Sequence, residues 1–138
     1  MDLSYVLTPL ITWLVTGLVK FSWNSISHKR LAFDLIGYGG MPSNHSAIVS
    51  STVVIIMLRE GIYSASACLA VTLGLIVILD ANSLRSQVGK HAKIINKLRE
   101  GELLRERIGH SKSEILVGIL VGAIVAWGIE YVMALLHE

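Results

Sequence analysis

The sequence predicts an all-α integral membrane helical bundle, with about four transmembrane helices plus an amphipathic interfacial helix. Three observations lead there. Of the 138 residues, 53% are hydrophobic and only 16% are charged. Mean hydropathy is +0.63, too apolar for an ordinary soluble domain of this size. The charges are bunched between four apolar stretches, each near the ~17–25 residues that a helix needs to cross hydrocarbon. Backbone groups cannot go unpaired in lipid, so helix is the expected state of all four.

The first stretch, residues 3–19, is short and carries Pro9 near its start. It reads as a retained helix, because Met1-Asp2-Leu3 is no basic n-region and no small-residue cleavage site follows. The second, residues 41–58, begins inside a polar turn; the third covers 62–81 and the fourth 115–136. Residues 20–40 connect the first two and end in a Gly-rich turn, and Arg59-Glu60-Gly61 forms a tight turn. Residues 82–114 are polar and strongly basic. Within them Ile94, Ile95, Leu98, Leu103 and Leu104 recur at helical spacing among Lys and Arg. That pattern predicts an amphipathic helix at the membrane surface, broken at Glu100-Gly101. No repeat, low-complexity tract or linker divides the chain, so residues 1–138 read as a single domain. Cys68, the lone cysteine, excludes an intrachain disulfide and a Cys-based metal cluster, and its apolar setting predicts a buried inert thiol.

Charge placement orients the bundle. Of the twelve Lys and Arg residues all but Arg59 fall in the first and third connections, from Lys20 to Arg30 and from Arg85 to Lys112. The positive-inside rule then puts both long connections in the cytoplasm and both termini outside. The net charge of +2 says little about partners, and nucleic acid is not expected.

Residues 39–46 read Gly-Gly-Met-Pro-Ser-Asn-His-Ser and open directly into an apolar run. A hydroxyl, an imidazole and a helix N-terminus in one small space suit an anion at a bilayer edge, phosphate foremost. Lys20 is expected to end the first helix, Ser43 and His45 to begin the second, Arg85 to follow the third, and His110 and Glu114 to open the fourth. All six then share one membrane face. Phosphoryl transfer needs fixed cations and N–H donors, a nucleophile such as neutral imidazole, and an acid for the leaving group. His110 and Glu114, four residues apart, share one helix face, and Ser43 suits an N-cap.

Plainer readings stand beside these. His45 fits a polar helix-entry residue, His110 a loop histidine, Arg85 a positive-inside anchor, Ser43 a cap only, and Lys20 a snorkelling residue. Asp80 either pairs with a cation such as Arg85 or faces interfacial water. Glu130 falls near the outer interface with no assigned role, and His28 and His91 read as solvated. Gly118, Gly122 and Ala126 form a small-residue stripe that favours close helix packing.

The motifs resemble the type 2 phosphatidic acid phosphatase (PAP2) superfamily, which includes bacterial acid phosphatases and vanadium haloperoxidases. Pro42-Ser43-Asn44-His45 is similar to its Pro-Ser-Gly-His motif. Residues 39–47 match the Gly-Gly-Met-Pro-Ser-Ser-His-Ser-Ala of the small bacterial "divergent PAP2" branch at all but Asn44. Gly109-His110 and Glu114 resemble the last motif, with Glu for Asp. Arg85 resembles the branch's separated arginine, and Lys20 the lysine of the first motif. The likeness runs from about Lys20 to Gly122. It implies that His110 attacks phosphorus, Glu114 orients it and His45 protonates the leaving group. It also implies that Lys20, Ser43 and Arg85 hold the phosphate, with no metal or cofactor; Asn44 stands where the superfamily has glycine, and its side-chain amide is the expected further phosphate donor. The Arg-Pro of the first motif is missing, and Ser86 stands where a second arginine is usual.

The expected function is therefore a metal-independent lipid phosphatase in a bacterial inner membrane, its site facing the cytoplasm. A lipid phosphomonoester or diphosphate is the expected substrate. Four short helices leave little room to wall off a pocket, which makes a homodimer plausible. The alternative is a non-catalytic membrane protein that binds anionic lipid or scaffolds a complex.

Overall fold

The computed structural model describes residues 3–31, 33, 40–98, 101, 103–106 and 108–136. They form five α-helices and one π turn: α1 (Ser4–His28), α2 (Asn44–Glu60), α3 (Ala65–Leu79), the π turn (Asp80–Leu84), α4 (Arg85–Leu98) and α5 (Lys112–Leu136). No strand occurs among the described residues. The all-helical expectation holds. Among the described residues three helical stretches are long and apolar enough to cross a membrane: Ser4–His28, Ala65–Leu98 and Lys112–Leu136. The fourth expected span, α2, has 17 residues, at the lower edge of what crossing requires.

α2 is the central helix, packed against α5, α3 and α1. Its inward residues are small or polar: Ser46, Ala47, Ser50 and Ser51 are buried, with Ile55 the one large side chain. α5 meets it through glycine. A Cβ at Gly118 would lie 2.5 Å from the Ser43 carbonyl oxygen, and one at Gly122 would collide with the Ala47 carbonyl and the Ser50 hydroxyl. The helices are thus in backbone contact, and Ser50 Oγ donates across the seam to Ile119 O at 3.1 Å. Hydrophobic sorting cannot hold helices together in lipid, so this close approach with an interhelical hydrogen bond is the cohesive element. The outer surface is apolar, with Leu14, Trp23, Leu69, Ile124 and Trp127 among the exposed side chains. Cys68 belongs to that surface: it is exposed, not buried as expected.

α1 runs nine residues beyond the expected stop at Val19. Every fourth residue along it, from Ser4 through Thr8, Thr12, Thr16 and Lys20 to Asn24, is buried. Each threonine hydroxyl donates to the carbonyl four residues back, at 2.6–2.7 Å. These polar groups are therefore satisfied within the helix and leave a slim face for its neighbours. Lys20 lies inside α1, not at its end, because its charge falls on this interior line. The helix stops at Lys29, a left-handed residue (φ 50°), where Lys29 N–H bonds to Ile26 O and Arg30 N–H to Ser25 O.

The amphipathic helix exists but is not a separate surface element. α3, the π turn and α4 form one helical run from Ala65 to Leu98. At 1.5 Å per residue such a run spans ~50 Å, well beyond the ~30 Å of hydrocarbon, so one end must project into water. Its polar part is that end. The run is described as far as Leu98, and Gly101 beyond it has φ 116°; Glu100 lies outside the described residues. At the opposite pole Arg59 Nε pairs with Glu130 Oε2 at 2.6 Å, and its guanidinium stacks over Tyr5, 5.4 Å from the ring centre. That contact gives Glu130 a partner and ties α1, α2 and α5 together.

Candidate active site

The N-termini of α2 and α5 meet at one pole of the bundle. Ser111 and Glu114 start α5 with a reciprocal cap: Ser111 N–H donates to Glu114 Oε2 (3.0 Å), and Glu114 N–H donates to Ser111 Oγ (3.3 Å). The same Glu114 oxygen lies 3.2 Å from His110 Nδ1. A carboxylate only accepts, so the proton sits on Nδ1 and Nε2 keeps its lone pair. The Glu114 main-chain carbonyl accepts from Ser43 N–H at 3.0 Å, docking the start of α2 onto the start of α5. Ser43 caps α2: its hydroxyl accepts from Ser46 N–H (3.4 Å) and Ser46 Oγ (3.0 Å).

This junction brings the two histidines together, with ring centres 6.2 Å apart and planes inclined by 53°. His110 reaches it from the loop ahead of α5, which is pinned to the π turn. His110 N–H donates to Ala81 O (3.0 Å), and Asn82 Nδ2 donates to His110 O (3.3 Å). Gly109 makes that docking possible. Its φ is 103°, and a Cβ there would stand 3.0 Å from Ser86 N.

Charge gathers around the imidazoles. Lys20, although 8% exposed, faces Glu114 and Arg105 closely enough to feel both. Arg85, Lys20, His110 and Asp80 all act on His45. Arg85 is held by Asp80, Nε to Oδ2 at 3.1 Å. Burial pushes the His110 imidazole below the ordinary histidine range; the Glu114 hydrogen bond opposes this, and Lys20 and Arg85 reinforce it. The ring is consequently neutral at neutral pH, the state a nucleophile requires. Asn44 Oδ1 and His45 Nδ1 are buried and have no hydrogen-bond partner among the described residues. Unpaired buried polar atoms cost stability; at this N-terminus His45 Nδ1 can donate to an anion when it carries the proton, whereas Asn44 Oδ1 can only accept.

All seven residues singled out from the sequence thus lie at this pole, while His28 and His91 stay exposed outside it. Asp80 takes the paired option, with Arg85. Sequence reasoning missed three features: Arg105 beside Lys20, the Ser111–Glu114 cap, and the buried position of Asn24 in line with Lys20. The Ser-Lys-Ser-Glu string and the four-residue polar spacing of α1 were the available signals.

The chain matches the divergent PAP2 family over residues 1–125. It belongs to that family. It is also similar to a membrane protein of Bacillus subtilis (strain 168), the uncharacterized YuiD. The two are 25% identical over 147 residues, covering 91% of this chain and 93% of the relative. No solved structure matches the chain. The divergent PAP2 family and its three candidate spans mark the chain as a membrane protein.

Proposed function

We propose that this divergent PAP2 protein is a lipid phosphatase that works through a phosphohistidine at His110, at the cytoplasmic face of a bacterial inner membrane. One observation carries the reading: a buried, carboxylate-oriented imidazole faces a second imidazole 6.2 Å away at two converging helix N-termini. Phosphate placed between the rings would meet a nucleophile on one side and a proton donor on the other.

In the first step His110 Nε2 forms a bond to phosphorus while the bond to the lipid oxygen breaks. His45 gives that oxygen its proton. The His110 ring becomes cationic, and Glu114 stabilises it. In the second step His45 takes a proton from water, the water oxygen attacks phosphorus, and the N–P bond breaks to release inorganic phosphate. Lys20, Arg85, the Asn44 side chain and the free N–H groups of the first turn of α2 hold the phosphate oxygens, and the Ser43 hydroxyl supports them. These groups do the charge work, so the mechanism calls for no metal. The substrate class follows from position: a site at a helix-bundle pole meets headgroups already concentrated in two dimensions.

The test is phosphate release from a panel of lipid monophosphates and diphosphates by purified protein in detergent without divalent metal. Wild type is expected to release phosphate, vanadate to block it, and His110→Ala to abolish it. The exposed Lys90, Lys93 and Lys97 on α4 support the second reading, a non-catalytic binder of anionic lipid. Release from no lipid, with lipid binding intact in His110→Ala and His45→Ala, would favour that reading instead.

A further inference from the structure

The π turn does two things at once. Arg85 N–H donates to Asp80 O, five residues back, and not to Ala81 O as it would in an α-helix. The Ala81 carbonyl thereby loses its α-helical partner, and it is this carbonyl that accepts His110 N–H at 3.0 Å. The wider turn also changes which side chains meet. Five residues along an α-helix put side chains about 140° apart around the axis. Here Asp80 and Arg85, five apart, form an ion pair of 3.1 Å. A single inserted residue therefore seats the His110 loop and brings Asp80 under Arg85.

We propose that Asp80 is a positioning residue for the anion site, acting on bound phosphate only through Arg85. This rests on the phosphatase reading above. The pair is partly exposed, 37% for Arg85 and 35% for Asp80, so it adds little to stability. Its geometry is more informative than its strength. Asp80 holds Nε, which fixes the guanidinium plane, and among the described residues the two terminal nitrogens carry no hydrogen bond. Those are the nitrogens that grip a phosphate in a two-pronged contact. Arg85 acts on both His45 and His110, so its charge is within electrostatic reach of both imidazoles. Asp80 also acts on His45, and as a bare negative charge near an anion site it would weaken phosphate binding. A bystander carboxylate and a positioning carboxylate therefore give effects of opposite sign when neutralised.

Orthovanadate is the probe, titrated against the detergent-solubilised full chain to obtain a Kd, which does not depend on the fraction of protein that is active. Asp80→Asn is expected to weaken vanadate binding about tenfold. Asp80→Glu, which keeps the carboxylate, is expected to recover part of that loss. In an Arg85→Gln background Asp80→Asn is expected to change nothing further. Unchanged or tighter binding in Asp80→Asn would overturn the proposal, as would a loss that adds in full to that of Arg85→Gln; both leave the phosphatase reading standing. A wild type that neither binds vanadate nor releases phosphate would remove that reading and this proposal together.

Discussion

At the scale of single residues, Glu114 serves two masters. It caps α5 through Ser111 N–H and fixes the proton of His110 on Nδ1. The sequence displayed the second duty through the four-residue spacing, and the first was equally legible in Ser111-x-x-Glu114. Glu114 favours the cationic form of His110, whereas burial, Lys20 and Arg85 disfavour it, and burial dominates. The sign for catalysis follows. His110 must be neutral to attack, and its protonation is displaced to lower pH than that of an ordinary histidine, ~6.5. The acid limb of the kcat/KM profile is therefore expected below pH ~6.5. Glu114→Gln removes a group that favours the cation, so the limb should move to still lower pH while the plateau falls by about tenfold or more. A limb that moves upward in Glu114→Gln would contradict the assignment. Lys20 was less legible: a lysine after an apolar run reads as a helix end, and only the buried line Thr8, Thr12, Thr16, Lys20, Asn24 turns it inward.

At the scale of elements, helix identity was legible, and so were the bounds of α2 and α5 to within three residues, but the ends of α1 and of the α3–α4 run were not. Asp80-Ala81-Asn82-Ser83 carries three residues that favour caps and turns, so it reads as the end of a helix. The chain absorbs it as a π turn and continues, with Ser83 Oγ donating to Leu79 O at 2.7 Å. No periodicity announces that one-residue insertion, because its reason is tertiary: the Ala81 carbonyl is needed by His110. The Gly118/Gly122/Ala126 stripe was visible, but its partner was not, since α2 presents serines and backbone to it. That seam makes a firm prediction. Gly122→Ala should destabilise the bundle by about 1–3 kcal/mol, read as a lower melting temperature in detergent, because its Cβ would collide with the Ala47 carbonyl. The same change at Gly128, where a Cβ meets nothing within 4 Å, should be nearly silent. Equal effects at the two positions would contradict the packing.

At the scale of the whole molecule, the chain is polar at its poles and apolar around its girth. The histidine pole gathers Lys20, Arg85 and Arg105, while Arg59 stands at the far pole with Glu130. Charge bias gave the orientation from sequence, and it implies an inward-facing site. In a Cys68→Ala background, Tyr63→Cys should react with an impermeant maleimide from outside cells, and Lys97→Cys only after permeabilisation. The reverse pattern would put the site on the outer face. Hydropathy found α2 within residues 41–58 but not its place: a helix of 17 residues enclosed by three others, beside three stretches among the described residues that are longer and apolar enough to cross. The histidine pair depends on that enclosed helix, since His45 stands at its first turn. The most direct measurement of the pair's role is rapid quench of wild type with a lipid phosphate labelled on phosphorus, followed by mapping of the bound label. An acid-labile, base-stable phosphoryl group on His110, absent from His110→Ala and longer-lived in His45→Ala, is the expected result. Turnover without labelled His110, or label on another residue, would contradict it.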